Sequence, residues 1–144
     1  MINNISKKVA VVGLGRIGCR HLEALSKSTF PIELYGIDPQ KYSVDLAKES
    51  LENLQIKKNI KSISITQELN ALPKTLDLLI IATNSDVRLK VLCEILDYAD
   101  VNFIIFEKIL FQAGKDLTKG KRILNKSRSE AWVNCPRRVW PLYT

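Results

Sequence analysis

Gly13, Gly15 and Gly18 stand at fixed spacing in the stretch Lys8 to Gly18, KVAVVGLGRIG. Glycines at these intervals can cradle a phosphate. Gly13 makes the tight turn out of a strand, Gly15 lets backbone approach a pyrophosphate, and Gly18 lets the next helix pack closely on that strand. Arg16 and Ile17 lie inside the loop, and the helix they begin turns its free N–H groups and positive dipole end toward the anion. Asp38 lies 20 positions beyond Gly18 and closes the second apolar segment. A carboxylate there accepts hydrogen bonds from adenosine ribose hydroxyls and repels a 2′-phosphate. The expected cofactor is therefore NAD. Lys41 is near enough to keep NADP as the alternative. A plainer role for Asp38-Pro39 is to cap the helix that starts near Gln40.

The elements that must hold these residues follow from the apolar pattern. Val9 to Val12 run without a polar break, as in a strand buried on both faces of a parallel sheet. The spacing predicts a helix over Arg16 to Lys27, with Ile17, Leu22 and Leu25 inward beside Ala24. Ile32 to Ile37 reads as the second strand. Gln40 to Asn53 reads as a helix burying Val44, Ala47, Leu51 and Leu54. A short strand over Ile60 to Ile65 and a helical turn over Gln67 to Leu72 come next. Leu76 to Ala82 is another buried strand, and Ser85 to Tyr98 a helix with Val87, Val91, Leu92, Ile95 and Leu96 inward. Asn102 to Phe106, Lys115 to Ser127 and Ala131 to Cys135 complete the pattern as strand, helix and strand. Strict alternation with short connections predicts an α/β fold, a Rossmann-type doubly wound parallel sheet of about six strands with helices on both faces. Ligands of such sheets sit beyond the carboxyl ends of the strands. The candidates there are Gly13 to Ile17, Asp38, Thr83-Asn84-Ser85, Glu107-Lys108 and Pro136-Arg137-Arg138.

Composition bounds the function. A chain of 144 residues, 46% hydrophobic, supports one domain, taken as 1–144; a chain of that length buries roughly two-thirds of its unfolded surface. No apolar run approaches the roughly 20 residues that cross a bilayer, and MINNISKK has no signal-peptide core, so no membrane partner and a cytoplasmic location are expected. Three scattered cysteines and one histidine argue against a disulfide framework and against a metal site. The formal charge of +7 arises entirely from Lys108 onward, with nine basic and two acidic residues. Lys115 to Arg128 has helical spacing without interleaved aromatics. It reads as a solvated face or as an interface with further chain, and nucleic acid is not an expected partner.

With these segments in view, the chain resembles the N-terminal half of the glucose–fructose oxidoreductase, inositol dehydrogenase and rhizopine-catabolism family, Gfo/Idh/MocA. VAVVGLGRIGCRHLEAL, YGIDPQ, LLIIATNSDVR, FIIFEKI and WVNCPRRVWPLY match it in order. The resemblance implies a dinucleotide and a small sugar-like or polyol substrate as partners. It makes Lys108 the catalytic residue beside the nicotinamide, where a cation stabilises the oxygen of an alcohol losing hydride or relays its proton. Glu107 would orient that lysine. Gly13, Gly15, Arg16, Ile17, Gly18, Asp38, Thr83, Asn84, Glu107, Lys108 and Arg138 form the implied cofactor set. Residues 131–144 resemble the start of the crossover into a substrate domain.

Three positions depart from the pattern. Ile109 replaces the usual proline, Asn84 stands where many members have proline, and Arg88 where they have histidine. The subset with Glu-Lys-Ile and Asn-Cys-Pro-Arg-Arg resembles enzymes of bacterial surface-sugar pathways. His21 reads as a packing residue of the glycine-loop helix. Family members continue for about another domain's length, so this chain is expected to bind dinucleotide without turning over substrate alone, and its uncovered surface to favour self-association. The rival from another class is a stand-alone nucleotide-sensing regulatory module, which has no reason to carry Glu107-Lys108. A methyl-donor-binding transferase leaves Gly18 and the crossover without a role.

Overall fold

A computed structural model of the chain describes residues 5–54, 56 and 58–135. Pro136, Arg137, Arg138 and the rest of the crossover stretch lie outside the described residues. Six strands, β1 (Lys7–Val12), β2 (Ile32–Ile37), β3 (Ile60–Thr66), β4 (Thr75–Ile81), β5 (Asp100–Glu107) and β6 (Glu130–Asn134), form one sheet. Its order is β3-β2-β1-β4-β5-β6, and every pairing is parallel. Four helices connect the strands: α1 (Arg16–Leu25), α2 (Lys41–Glu52), α3 (Arg88–Tyr98) and α4 (Gly114–Ser127). A 3-10 turn at Leu69–Ala71 precedes β4. This is the Rossmann-type α/β fold.

The apolar run of β1 feeds two cores, because successive residues of a strand point to opposite faces. Val9 and Val11 pack with Leu22 of α1 and Val44, Ala47 and Leu51 of α2. Ala10 and Val12 pack with Leu92 and Ile95 of α3, with Ile123 and Leu124 of α4 behind them. Burial on both faces explains why β1 and β4 read as continuous hydrophobic stretches. The basic residues of α4 are exposed, as a solvated helix face requires. Among the described residues no helix is long and apolar enough to cross a membrane.

Two expected packing positions are corrected. Ile17 is 46% exposed, because the buried stripe of α1 runs through Gly18 and Leu22 and the residue one step earlier is turned about 100° away. Val87 is 43% exposed because the chain still turns through 85–87 and α3 begins only at Arg88. One part of the sheet stays open. Phe103 of β5 and Trp132 of β6 stack at 5.7 Å on the α1/α2 face and remain 42% and 48% exposed.

Candidate active site at the carboxyl edge

The strand order reverses direction between β1 and β4, and a doubly wound sheet opens its ligand crevice at that point. The glycine loop is built to fit there. Gly13 has φ +90°, and a Cβ on it would lie 2.7 Å from the Thr83 amide nitrogen, so the loops after β1 and β4 touch backbone to backbone. A Cβ on Gly18 would come within 1.8 Å of the Gly13 carbonyl oxygen. Only glycine leaves room for α1 to start where it does. Gly15 behaves differently. A Cβ there would meet nothing within 4 Å, so the space beside it is open. The N-terminus of α1 has no side-chain cap, and Gly15, Arg16 and Ile17 are exposed around it. An open glycine, uncapped helix amides and a basic residue together fit a pyrophosphate.

Asp38 ties this loop to the end of β2. Its Oδ2 accepts a 2.7 Å bond from the Leu14 N–H, and its Oδ1 a 2.9 Å bond from the Gln40 N–H. The carboxylate therefore closes a turn ahead of α2, whose N-cap is Gln40 without a side-chain cap, and braces the glycine loop at once. Each oxygen keeps further acceptor capacity for a ribose hydroxyl. Cys19 supports the same loop from behind, its thiol donating to the Leu14 carbonyl at 3.3 Å. Burial, followed by the charges of Glu23 and Asp38, pushes that thiol's pKa up, away from nucleophile chemistry.

Across the crevice lies a different kind of wall. Ile17, Thr83, Asn84, Ser85, Glu107 and Lys108 line a cleft of about 530 Å³. Glu107, at the end of β5, is 9% exposed. Its Oε1 meets His21 Nε2 of α1 at 2.7 Å and the Asn134 amide of β6 at 2.6 Å. Burial alone would raise the Glu107 pKa, but the bonds from Asn134 and His21, the His21 charge and the Lys108 N–H outweigh it and hold the carboxyl below its ordinary value. Lys108 is exposed at the cleft, and its bond to Ile109 is cis.

Beneath this wall Arg88 is 2% exposed. Its Nη1 donates to the carbonyls of Glu107 at 2.5 Å, Ile109, and Leu110 at 3.1 Å, while Nη2 donates to the carbonyl of Thr83. Burial lowers the guanidinium pKa and the Glu107 charge opposes that. The group stays charged, because arginine does not deprotonate in proteins and carbonyls replace the water of its two terminal nitrogens, Nε being buried without a partner among the described residues.

The described candidates Gly13, Gly15, Arg16, Ile17, Gly18, Asp38, Thr83, Asn84, Glu107 and Lys108 thus gather along the carboxyl edge of β1, β2, β4 and β5. Arg138 lies outside the described residues. Sequence reasoning missed two participants. His21, read as packing, instead reaches the Glu107 carboxylate, and Arg88, noted only as a departure, organises two loops. Each carried a faint signal: a polar side chain in the first turns of a helix next to a strand end. Among the described residues no group of three or more His, Cys, Asp or Glu could hold a metal ion.

No family model matches the sequence, and no curated protein does. Solved structures do. The WlbA dehydrogenase from Chromobacterium violaceum, in complex with NADH and UDP-GlcNAcA, is similar at 20% identity with a TM-score of 0.72, over 96% of this chain and 37% of that one. A Gfo/Idh/MocA family oxidoreductase from Vibrio cholerae is similar at 18% and 0.73, over 96% and 41%. The scyllo-inositol dehydrogenase from Lactobacillus casei, with bound NAD(H) and scyllo-inositol, is similar at 15% and 0.68, over 95% and 38%. The chain spans about two-fifths of the length of these solved chains. At such identities the likeness establishes the fold: nearly the whole chain is a Rossmann-type domain shaped like one part of these dehydrogenases.

Proposed function

We propose that this chain is the NAD(H)-binding domain of an oxidoreductase acting on a CH–OH group of a sugar or polyol. The observation that carries this reading is the pairing of two walls across one crevice. An open glycine loop braced by Asp38 faces a cleft lined by Thr83, Asn84, Glu107 and Lys108. A bare nucleotide sensor needs the first wall only. Glu107-Lys108 gives the second wall a use in chemistry.

The residues divide the work. The amides around Gly15 and the start of α1 hold a pyrophosphate, with Arg16 adding charge. Asp38 accepts from the ribose and disfavours a 2′-phosphate. When bound, the nicotinamide accepts or donates the hydride. Thr83 and Asn84, which line the cleft on the β4 side, would hold that ring. As hydride leaves an alcohol carbon, negative charge develops on its oxygen; Lys108 would stabilise that oxygen as the ammonium or, as the neutral amine, take up the hydroxyl proton and pass it to water. The dehydrogenases of similar fold that are solved with UDP-GlcNAcA or scyllo-inositol support a polyhydroxylated substrate. The chain spans about two-fifths of the length of those solved chains, and the role proposed for these 144 residues is cofactor binding together with the Lys108 wall of the site.

Calorimetric titration with NAD and NADP tests the reading. NAD is expected to bind and NADP to bind more weakly. Equal or tighter NADP binding defeats the Asp38 preference, and failure of both dinucleotides defeats the proposal. The Lys108 assignment is tested in a full-length relative, where the alanine variant at the matching lysine should collapse turnover with little change in cofactor affinity.

A further inference from the structure

Arg88 borders the cleft, yet it is nearly sealed from solvent and its hydrogen bonds go to main-chain carbonyls. Those bonds reach both loops that line the cleft. The Thr83 carbonyl belongs to the peptide unit that carries Asn84, and the Glu107 carbonyl to the unit that carries Lys108. On the far side of Lys108 the same nitrogen holds the Ile109 and Leu110 carbonyls. Lys108 is therefore bracketed by carbonyls fixed to one rigid cation.

Leu110 and Phe111 seat the far end of that loop on the core, and the stretch nearer Lys108 has less to hold it. The Ile109 side chain is 76% exposed, so it supplies no apolar hold. Gln112 reaches Ser85 through one 3.3 Å bond between exposed groups. A lysine in place of Arg88 could serve carbonyls of one loop from its single nitrogen, but reaching the Thr83 carbonyl as well uses the second nitrogen of the guanidinium fork. The geometry is that of a bridge between loops.

We infer that Arg88 is the positioning residue of the β4–β5 side of the cleft, fixing the backbone on which Asn84 and Lys108 are mounted without contacting cofactor or substrate. This rests on the reading that the cleft receives the nicotinamide end of a dinucleotide. It makes a separable prediction: Arg88 should matter to the nicotinamide half of the ligand and not to the adenosine half, which the glycine loop and Asp38 hold.

The experiment compares NADH with ADP-ribose, which lacks the nicotinamide, on the full 144-residue chain and its Arg88→Met and Arg88→Lys variants. Calorimetry gives both affinities, fluorescence of bound NADH reports the ring's surroundings, and circular dichroism with thermal melting checks the fold. In Arg88→Met the NADH affinity should fall about tenfold or more, and the emission change on binding should shrink. ADP-ribose affinity should stay within about twofold of the parent's. Arg88→Lys should fall between the two. Parallel weakening of both ligands, or no change in either, overturns the assignment while leaving the dinucleotide reading intact. Loss of the fold in both variants also overturns it, by making Arg88 a structural clamp. A parent chain that binds neither ligand removes the dinucleotide reading itself, and this one with it.

Discussion

The two sides of the crevice are built on different physics. On the β1–β2 side the working parts are absences and backbone groups: three glycines, the uncapped start of α1, and one carboxylate bonded to two amides. On the β4–β5 side they are charges. Arg88 is solvated by carbonyls from two loops, and Glu107 is held by His21 and Asn134 from two other elements. The first side is controlled by volume, the second by charge and hydrogen bonding. They should therefore fail in different ways.

The largest effect belongs to the steric side. Gly18→Ala puts a methyl 1.8 Å from the Gly13 carbonyl oxygen, an overlap with backbone that no rotamer relieves. The cost should exceed about 3 kcal/mol, seen as a large fall in the denaturant midpoint together with lost NAD binding. An alanine variant as stable as the parent would dismiss the close-packing account. Asp38→Ala should come next. Losing a hydrogen bond to a charged group costs about 1.5–3 kcal/mol, so NAD affinity measured by calorimetry should drop on the order of 10- to 100-fold. Unchanged affinity would leave Asp38 as a turn and loop brace alone.

The charged side should reveal itself through pH. The folded Glu107 carboxyl has its pKa lowered, so it binds protons less readily than the unfolded one. Its ionised form then contributes stability above the ordinary carboxylate pKa of about 4.5, and that contribution is lost as pH falls through the lowered folded value. Glu107→Gln removes this dependence. The stability gap between parent and variant, from urea midpoints, should shrink as pH is lowered below about 4.5. A gap that is flat with pH would show that the His21 and Asn134 bonds do not favour the ionised form. Asp77, lowered by bonds from Lys8 and Lys7 against its burial, should keep its own acid sensitivity in both proteins. Smallest of all is Lys41→Ala. The Lys41–Asp45 pair is an exposed i,i+4 contact at 3.0 Å, and its loss should change stability by less than about 0.5 kcal/mol. If NADP affinity falls in that variant, Lys41 faces the 2′ position and weakens the Asp38 preference.

The same contrast explains what could be read in advance. The glycines, Asp38 and the buried strands were legible because each is a local matter. Turn geometry, helix start and two-faced burial leave residue-type signatures within a few positions, and the ribose carboxylate sits one strand further on. Ile17 and Val87 were misplaced by small phase errors at helix starts, where periodicity has too few turns to be fixed. His21 and Glu107 are 86 positions apart, and no local pattern pairs them. They meet because β1 and β4 are neighbours and β5 follows β4, which brings α1 over the end of β5. Arg88 was harder still, since its partners are main-chain carbonyls, which every residue has and which no side-chain pattern marks. Sequence alone determined a strand–glycine loop–helix unit, an acidic residue at the ribose distance and a Glu-Lys pair at a strand end. Only the tertiary structure decided that a buried cation ties the two loops of the cleft together, because a carbonyl becomes a specific partner only after the fold has aimed it.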